Sequence, residues 1–78
     1  NKSPSSVYDL ANAYYKSKDY KQALKAYGNV TTTDDALKYK KHFNTANSHF
    51  KLKEYEKAIK EYEEAKKIKV EDDLTHNL

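Results

Sequence analysis

The sequence predicts an all-α fold made of two stacked helix-turn-helix repeats, and three observations predict it. The first is an internal copy, Asn12–Tyr27 recurring as Asn47–Tyr62. Aligning Tyr20 with Tyr55 sets the offset at 55 − 20 = 35, and from Tyr8 to Tyr27 eight of twenty positions are then identical. A period in this range marks supersecondary units that bury their apolar faces by stacking. The second is the i, i+3, i+4, i+7 spacing of Val7, Leu10, Ala11 and Tyr14, which forms one helical face. The third is the punctuation between helical stretches, where capping acids and a β-branched run interrupt the pattern. Residues 1–6 are predicted as a linker, 7–34 as the first repeat, 35–70 as the second, and 71–78 as the start of a capping helix or a frayed tail.

The Ser-rich opening carries the only proline, Pro4, which suits a helical first turn after a Ser3 cap. The first helix should begin near Val7 and end near Lys18. Asp19 then caps a second helix that buries Tyr20, Ala23, Leu24, Tyr27 and Val30. Thr31-Thr32-Thr33 is a run of poor helix formers, and Asp34 and Asp35 cap the next helix. That third helix should span about Ala36 to Leu52, and the fourth about Tyr55 to Lys69, with Glu54 in the acidic first-turn slot. The acids Glu71-Asp72-Asp73, followed by Leu74 and Leu78 at i, i+4, predict a fifth helix just beginning.

Composition narrows the function. Seventy-eight residues make one small domain, which buries only about 60% of the surface its unfolded chain exposes. With 35% charged residues the chain is too polar for a membrane span, while eight tyrosines and two phenylalanines argue against disorder. It has no cysteine, hence no disulfide, thiolate metal site or thiol nucleophile. All fifteen basic residues are lysine and the net charge is only +3, which speaks against a nucleic-acid surface, where arginine forks and clustered charge are wanted. The chain has no signal peptide within its residues and opens on Asn1 rather than methionine, as a processed or excised piece would.

In these slots the chain resembles the tetratricopeptide repeat, whose pattern is W-x2-L-G-x2-Y, A-x3-F and P over about 34 residues. The first copy fills the slots with Val7, Leu10, Ala11, Tyr14, Ala23 and Tyr27, and the second with His42, Thr45, Ala46, His49, Ala58 and Tyr62. Asp35 and Val70 stand where the family has proline, and Lys18 and Lys53 where its turn glycine falls. The resemblance implies a right-handed α-solenoid fragment acting as a non-enzymatic protein-protein interaction scaffold. A narrower likeness, in Phe43–Ser48, Tyr55–Tyr62 and the Asp72–Leu78 tail, is to the tetratricopeptide segment of bacterial Bat-type aerotolerance proteins. It implies a membrane-associated assembly and the periplasmic side of the inner membrane; without it a cytoplasmic location is implied.

The family lines its concave side with the first helix of each repeat. Those helices carry one stripe twice, Tyr8, Asn12, Tyr15, Lys16 and then Phe43, Asn47, Phe50, Lys51. An aromatic ring, an amide and a lysine suit an extended, mildly acidic peptide: the ring packs an apolar side chain, the amide pairs with peptide N–H and C=O, and the lysine meets an acid. Asn12, Tyr15, Lys16, Asn44, Asn47, Phe50 and Lys51 are therefore the candidate peptide-binding residues, against a plainer reading in which Tyr8 and Phe43 pack between neighbouring first helices and the lysines are solvated helix ends. Asn12 and Asn44 also occupy two slots of the carboxylate clamp found in chaperone-tail-binding relatives, although Tyr8 replaces the clamp's first lysine and a third repeat is absent.

Catalytic and cofactor chemistry find no footing. One glycine, Gly28, cannot make a phosphate-cradling loop, and Asp34/Asp35 and Asp72/Asp73 sit where caps are needed. His42, His49 and His76 match no zinc spacing, so no metal or cofactor is expected. Asn29-Val30-Thr31 is a glycosylation sequon, meaningful only in a eukaryotic secreted protein. Two repeats fall short of the three usually needed for stability, which raises a structural alternative, with end faces around Leu24, Val30, Ile68, Leu74 and Leu78 mediating homo-oligomerisation or intramolecular docking.

Overall fold

A computed structural model describes the backbone of residues 3–76 and the side chains of residues 3–69. It contains four helices: α1 (Pro4–Lys16), α2 (Tyr20–Gly28), α3 (Asp35–Lys51) and α4 (Tyr55–His76). Each odd helix pairs with the even helix that follows it, α2 also packs on α3, and α1 touches α3 only lightly. None of the helices is long and apolar enough to cross a membrane among the described residues.

The caps decide where the helices begin. Ser3 Oγ accepts from Ser6 N–H at 3.1 Å, and with Pro4 in the first turn the helix starts three residues before Val7, so most of the expected linker is helical. Asp19 and Asp34 cap α2 and α3 by accepting from Gln22 N–H at 3.3 Å and Ala36 N–H at 3.1 Å. The threonine run forms the loop between repeats, and Thr32 Oγ1 takes the N–H of Asp34 at 3.1 Å.

Both turns within the repeats end their first helix in the same six-residue way. Asp19 N–H bonds Tyr14 C=O at 2.9 Å and Lys18 N–H bonds Tyr15 C=O at 3.0 Å; in the second repeat Glu54 bonds His49 at 2.8 Å and Lys53 bonds Phe50 at 2.9 Å. This Schellman geometry needs a left-handed residue just past the cap, and Lys18 (φ 65°) and Lys53 (φ 64°) supply it. Glycine adopts that conformation without a Cβ penalty. Lys18→Gly and Lys53→Gly are each expected to stabilise the domain by about 0.5–1 kcal/mol, net of the added unfolded-state entropy. Urea midpoints of the single and double variants check this, and a lower midpoint would refute it.

The packing follows the small residues. Ala11 and Ala23 are fully buried where α1 meets α2, as are Ala46 and Ala58 where α3 meets α4. Tyr27 is fully buried beside them, with Tyr8, Tyr14 and Tyr15 around it, and Val30 is buried at the repeat junction with its carbonyl taken by Lys41 Nζ at 2.9 Å. Three expectations need correction. Leu10 lies 41% exposed although its spacing puts it on the apolar face, because the outer side of α1 has no neighbour. Tyr20 and Leu24 are half-buried rather than core. The fourth helix runs on through residues 71–76, so within the described residues no fifth helix begins there; no glycine or proline interrupts 66–76, and a capping acid permits a helix start without forcing one. Asn77 and Leu78 lie outside the described residues.

Candidate functional site

The recurrent asparagines are built into a polar ladder. Tyr27 Oη donates to Asn12 Oδ1, and 35 residues on Tyr62 Oη donates to Asn47 Oδ1. Asn44 joins the two repeats, its Nδ2 donating to Tyr8 Oη at 2.7 Å and to Asn12 Oδ1 at 3.4 Å, while Asn47 Nδ2 donates to Asn44 Oδ1 at 3.4 Å. All four helices contribute to this chain. It explains the recurrence of Asn12 and Asn47 by an internal need: a buried phenol requires an acceptor, and the asparagine one helix away provides it.

The aromatic residues are paired in the same repeating way. Tyr8 meets Tyr27 with ring centres 5.8 Å apart and Phe43 meets Tyr62 at 5.5 Å; Tyr15 meets Tyr20 at 5.4 Å and Phe50 meets Tyr55 at 5.3 Å. These are contacts between the two helices of one repeat. Tyr8 and Phe43 thus pack on their own second helix, which replaces the expected packing between neighbouring first helices; the inter-repeat link of Tyr8 is its hydroxyl.

The electrostatics are those of a packed polar interior. Burial, and then the neighbouring phenols Tyr8 and Tyr15, push the Tyr27 hydroxyl well above the usual phenol range. Tyr15 is raised by burial and then by Tyr20 and Tyr62. In the second repeat two histidines of α3 meet acids: His42 Nδ1 lies 2.7 Å from Glu61 Oε1 on α4, and His49 Nδ1 2.9 Å from Glu54 Oε1 in the turn before α4. The first-repeat slots of His42 and Glu61 hold Val7 and Ala26, so a polar contact stands there in place of an apolar one. The His49 hydrogen bond, and then Lys57, hold the Glu54 carboxyl below its usual range.

The seven candidate residues therefore fall into three groups. Asn12, Asn44 and Asn47 are brought together in the ladder, half-buried. Tyr15 and Phe50 lie in the aromatic pairs. Lys16 and Lys51 stand exposed near the ends of α1 and α3 and form no ion pair among the described residues. Sequence reasoning missed the part Tyr27 and Tyr62 play in the stripe, although tyrosine where the repeat pattern has phenylalanine was a signal that a hydroxyl needed a partner. Two open clefts lie elsewhere: one of about 370 Å³ is lined by Asp34, Asp35, Tyr39 and Ile68, and one of about 400 Å³ by Thr31, Lys38, Lys41, His42 and Lys67. Of the residues expected on the docking end faces, Val30 is buried, Leu24 and Ile68 are half-buried, and the side chains of Leu74 and Leu78 lie outside the described residues.

The model of a family described as anaphase-promoting complex, cyclosome, subunit 3, a tetratricopeptide-type repeat family, matches residues 1–65. No curated protein and no solved structure matches significantly. The narrower likeness to Bat-type aerotolerance proteins receives no support from these comparisons.

Proposed function

Because the chain belongs to the anaphase-promoting complex, cyclosome, subunit 3 family, whose tetratricopeptide-type repeats serve as protein-protein interaction modules, we propose that it holds an extended, mildly acidic peptide along the α1/α3 side. Such repeat families are generally non-enzymatic scaffolds, and the proposed role is binding without chemistry.

The observation that carries this reading is the unused donor capacity of the ladder. An asparagine amide has two N–H donors. Asn44 uses both of them on Tyr8 and Asn12, whereas Asn47 uses one and Asn12 forms no bond through Nδ2 among the described residues. No buried side-chain nitrogen or oxygen among those residues lacks a partner, so the Nδ2 of half-buried Asn12 reaches solvent. The Nδ2 of Asn12, on an amide held in place through its Oδ1 by the Tyr27 hydroxyl, is thus a surface donor suited to the carbonyls of an extended chain, and Asn47 keeps one N–H beyond its bond to Asn44. Lys16 and Lys51 add charge on the same two helices for acidic side chains, and the exposed ring of Phe50 adds an apolar contact.

Amide and side-chain NH2 shifts of labelled protein, titrated with acidic peptides and their charge-reversed counterparts, test the reading. Shifts at Asn12, Asn47, Lys16 and Lys51 are expected; shifts confined to α2 and α4, or none, would overturn it. Each exposed ion pair contributes up to about 1 kcal/mol, so Lys16→Glu with Lys51→Glu should weaken binding about tenfold while leaving the fold intact.

A further inference from the structure

The internal repeat allows each surface position of the second unit to be compared with a position of the first that already has a neighbour. Tyr15, Tyr20 and Leu24 are half-buried. Their counterparts 35 residues on, Phe50, Tyr55 and Ile59, are 54%, 50% and 56% exposed. The local geometry is the same in both, as the matching Tyr15–Tyr20 and Phe50–Tyr55 ring pairs show. What differs is cover, for the second repeat lies against the first and nothing among the described residues lies against the second. Three large apolar side chains in adjoining slots are thereby left at one end of the stack, in a chain whose surface is otherwise dominated by lysine and glutamate.

The opposite end shows the reciprocal pattern. The α3 edge holds Thr45, half-buried, and Ser48, fully buried, and the same slots of α1 hold Leu10 and Ala13, both exposed. Polar residues thus occupy the covered edge and apolar ones the open edge. That is the reverse of what an edge kept in water calls for.

We propose that a second copy of this chain docks its α1 edge, at Leu10 and Ala13, on Tyr55 and Ile59 of the first, with Phe50 at the margin. The contact continues the α2/α3 junction into the next molecule in the same register. Such a contact is head-to-tail, since the two surfaces differ, and it leaves one free end of each kind on every assembly. The complex grows by addition and does not close at a dimer. It is separable from the peptide reading, because Lys16, Lys51 and the asparagine ladder belong to neither edge contact and Phe50 alone is shared.

Sedimentation of the 78-residue chain over a range from micromolar to millimolar tests the proposal. The weight-average mass should rise past that of a dimer without a plateau. Ile59→Glu blocks one end and Leu10→Glu the other, and each variant alone should sediment as a monomer. Mixed, they retain one intact edge each and should form a one-to-one dimer and nothing larger. Ala13→Glu marks the same edge as Leu10→Glu at another exposed position, so loss of folding in one variant is told apart from loss of the contact. A wild-type chain that stays monomeric to millimolar concentration overturns the proposal, as does a mixture that fails to dimerise. A plateau at dimer that Ile59→Glu abolishes and Leu10→Glu leaves unchanged would instead establish a symmetric α4 pairing, and would overturn it too.

Discussion

Tyr27→Ala should remove most of the domain's stability, whereas Tyr62→Ala in the equivalent slot should remove only a minor part. Tyr27 has no exposed surface and packs against Tyr8 while its hydroxyl bonds Asn12. Truncating a buried aromatic residue to alanine costs about 3–5 kcal/mol through lost contacts and the cavity left behind. A domain of this size has a total stability on the order of 5–10 kcal/mol, and two repeats should lie toward the lower end. Tyr62 has the same intra-repeat partners but is half-buried, since no further repeat covers it, and its truncation should cost about 1–2 kcal/mol. Urea unfolding followed by circular dichroism measures both, and equal losses would show that cover by a neighbouring repeat does not set the cost.

The hydroxyl can be tested apart from the ring. Tyr27→Phe keeps the shape, removes one hydrogen bond and should cost about 0.5–1.5 kcal/mol. The raised ionisation of Tyr27 also fixes a pH signature. A phenol harder to ionise in the folded state than in the unfolded chain contributes stability that is fully present below the ordinary phenol value of about 10 and is lost as pH rises beyond it. Wild-type stability should therefore fall above about pH 10. The Tyr27→Phe variant should lack that part of the fall, and a parallel decline in both would show that the Tyr27 phenol is not its source.

The fold was legible because its determinants are local. Ser3, Asp19 and Asp34 cap the helices as their chemistry predicts, and Ala11, Ala23, Ala46 and Ala58 mark where helices meet. Misplaced boundaries came from features that allow a break without requiring one, such as Glu71-Asp72-Asp73 inside α4. The site was legible only in part, because recurrence alone does not separate binding residues from residues tied to another repeated residue. Asn12 and Asn47 recur together with Tyr27 and Tyr62, and the distance that links them lies across a helical pair rather than along one face. Lys16 and Lys51 recur without such a tie and remain exposed. Exposed end faces were expected but placed at Leu24, Val30 and Ile68 rather than Ile59, since Leu24 and Ile59 are near-identical in sequence terms and differ only in whether a neighbouring repeat lies over them.

That dependence on neighbours gives the second large effect, which concerns the junction itself. Ser48 is fully buried, with its hydroxyl bonded to the Asn44 carbonyl at 2.9 Å, while Ala13 in the same slot of α1 is exposed. Since α4 stands to α3 as α2 stands to α1, the cover over Ser48 cannot come from its own repeat. It comes from the first repeat, so any added volume at Ser48 is driven into the junction. Ser48→Leu adds a net two heavy atoms and a branch at a fully buried position, and overpacking of this kind costs about 1–3 kcal/mol. Losing the serine hydroxyl adds little, because the Asn44 carbonyl keeps its place in the helix and this back-bond is itself only weakly favourable. Relief requires the repeats to part, which breaks the Asn44 bonds to Tyr8 and Asn12 and the Lys41 bond to the Val30 carbonyl. The side-chain NH2 resonances of Asn44 should therefore shift toward solvent-exposed values along with the loss of stability. Ala13→Leu makes a similar change on the open edge and should stay within about 0.5 kcal/mol of wild type. If the two substitutions cost the same, the first repeat does not cover Ser48, and the junction must be held chiefly by the Asn44 ladder and Lys41.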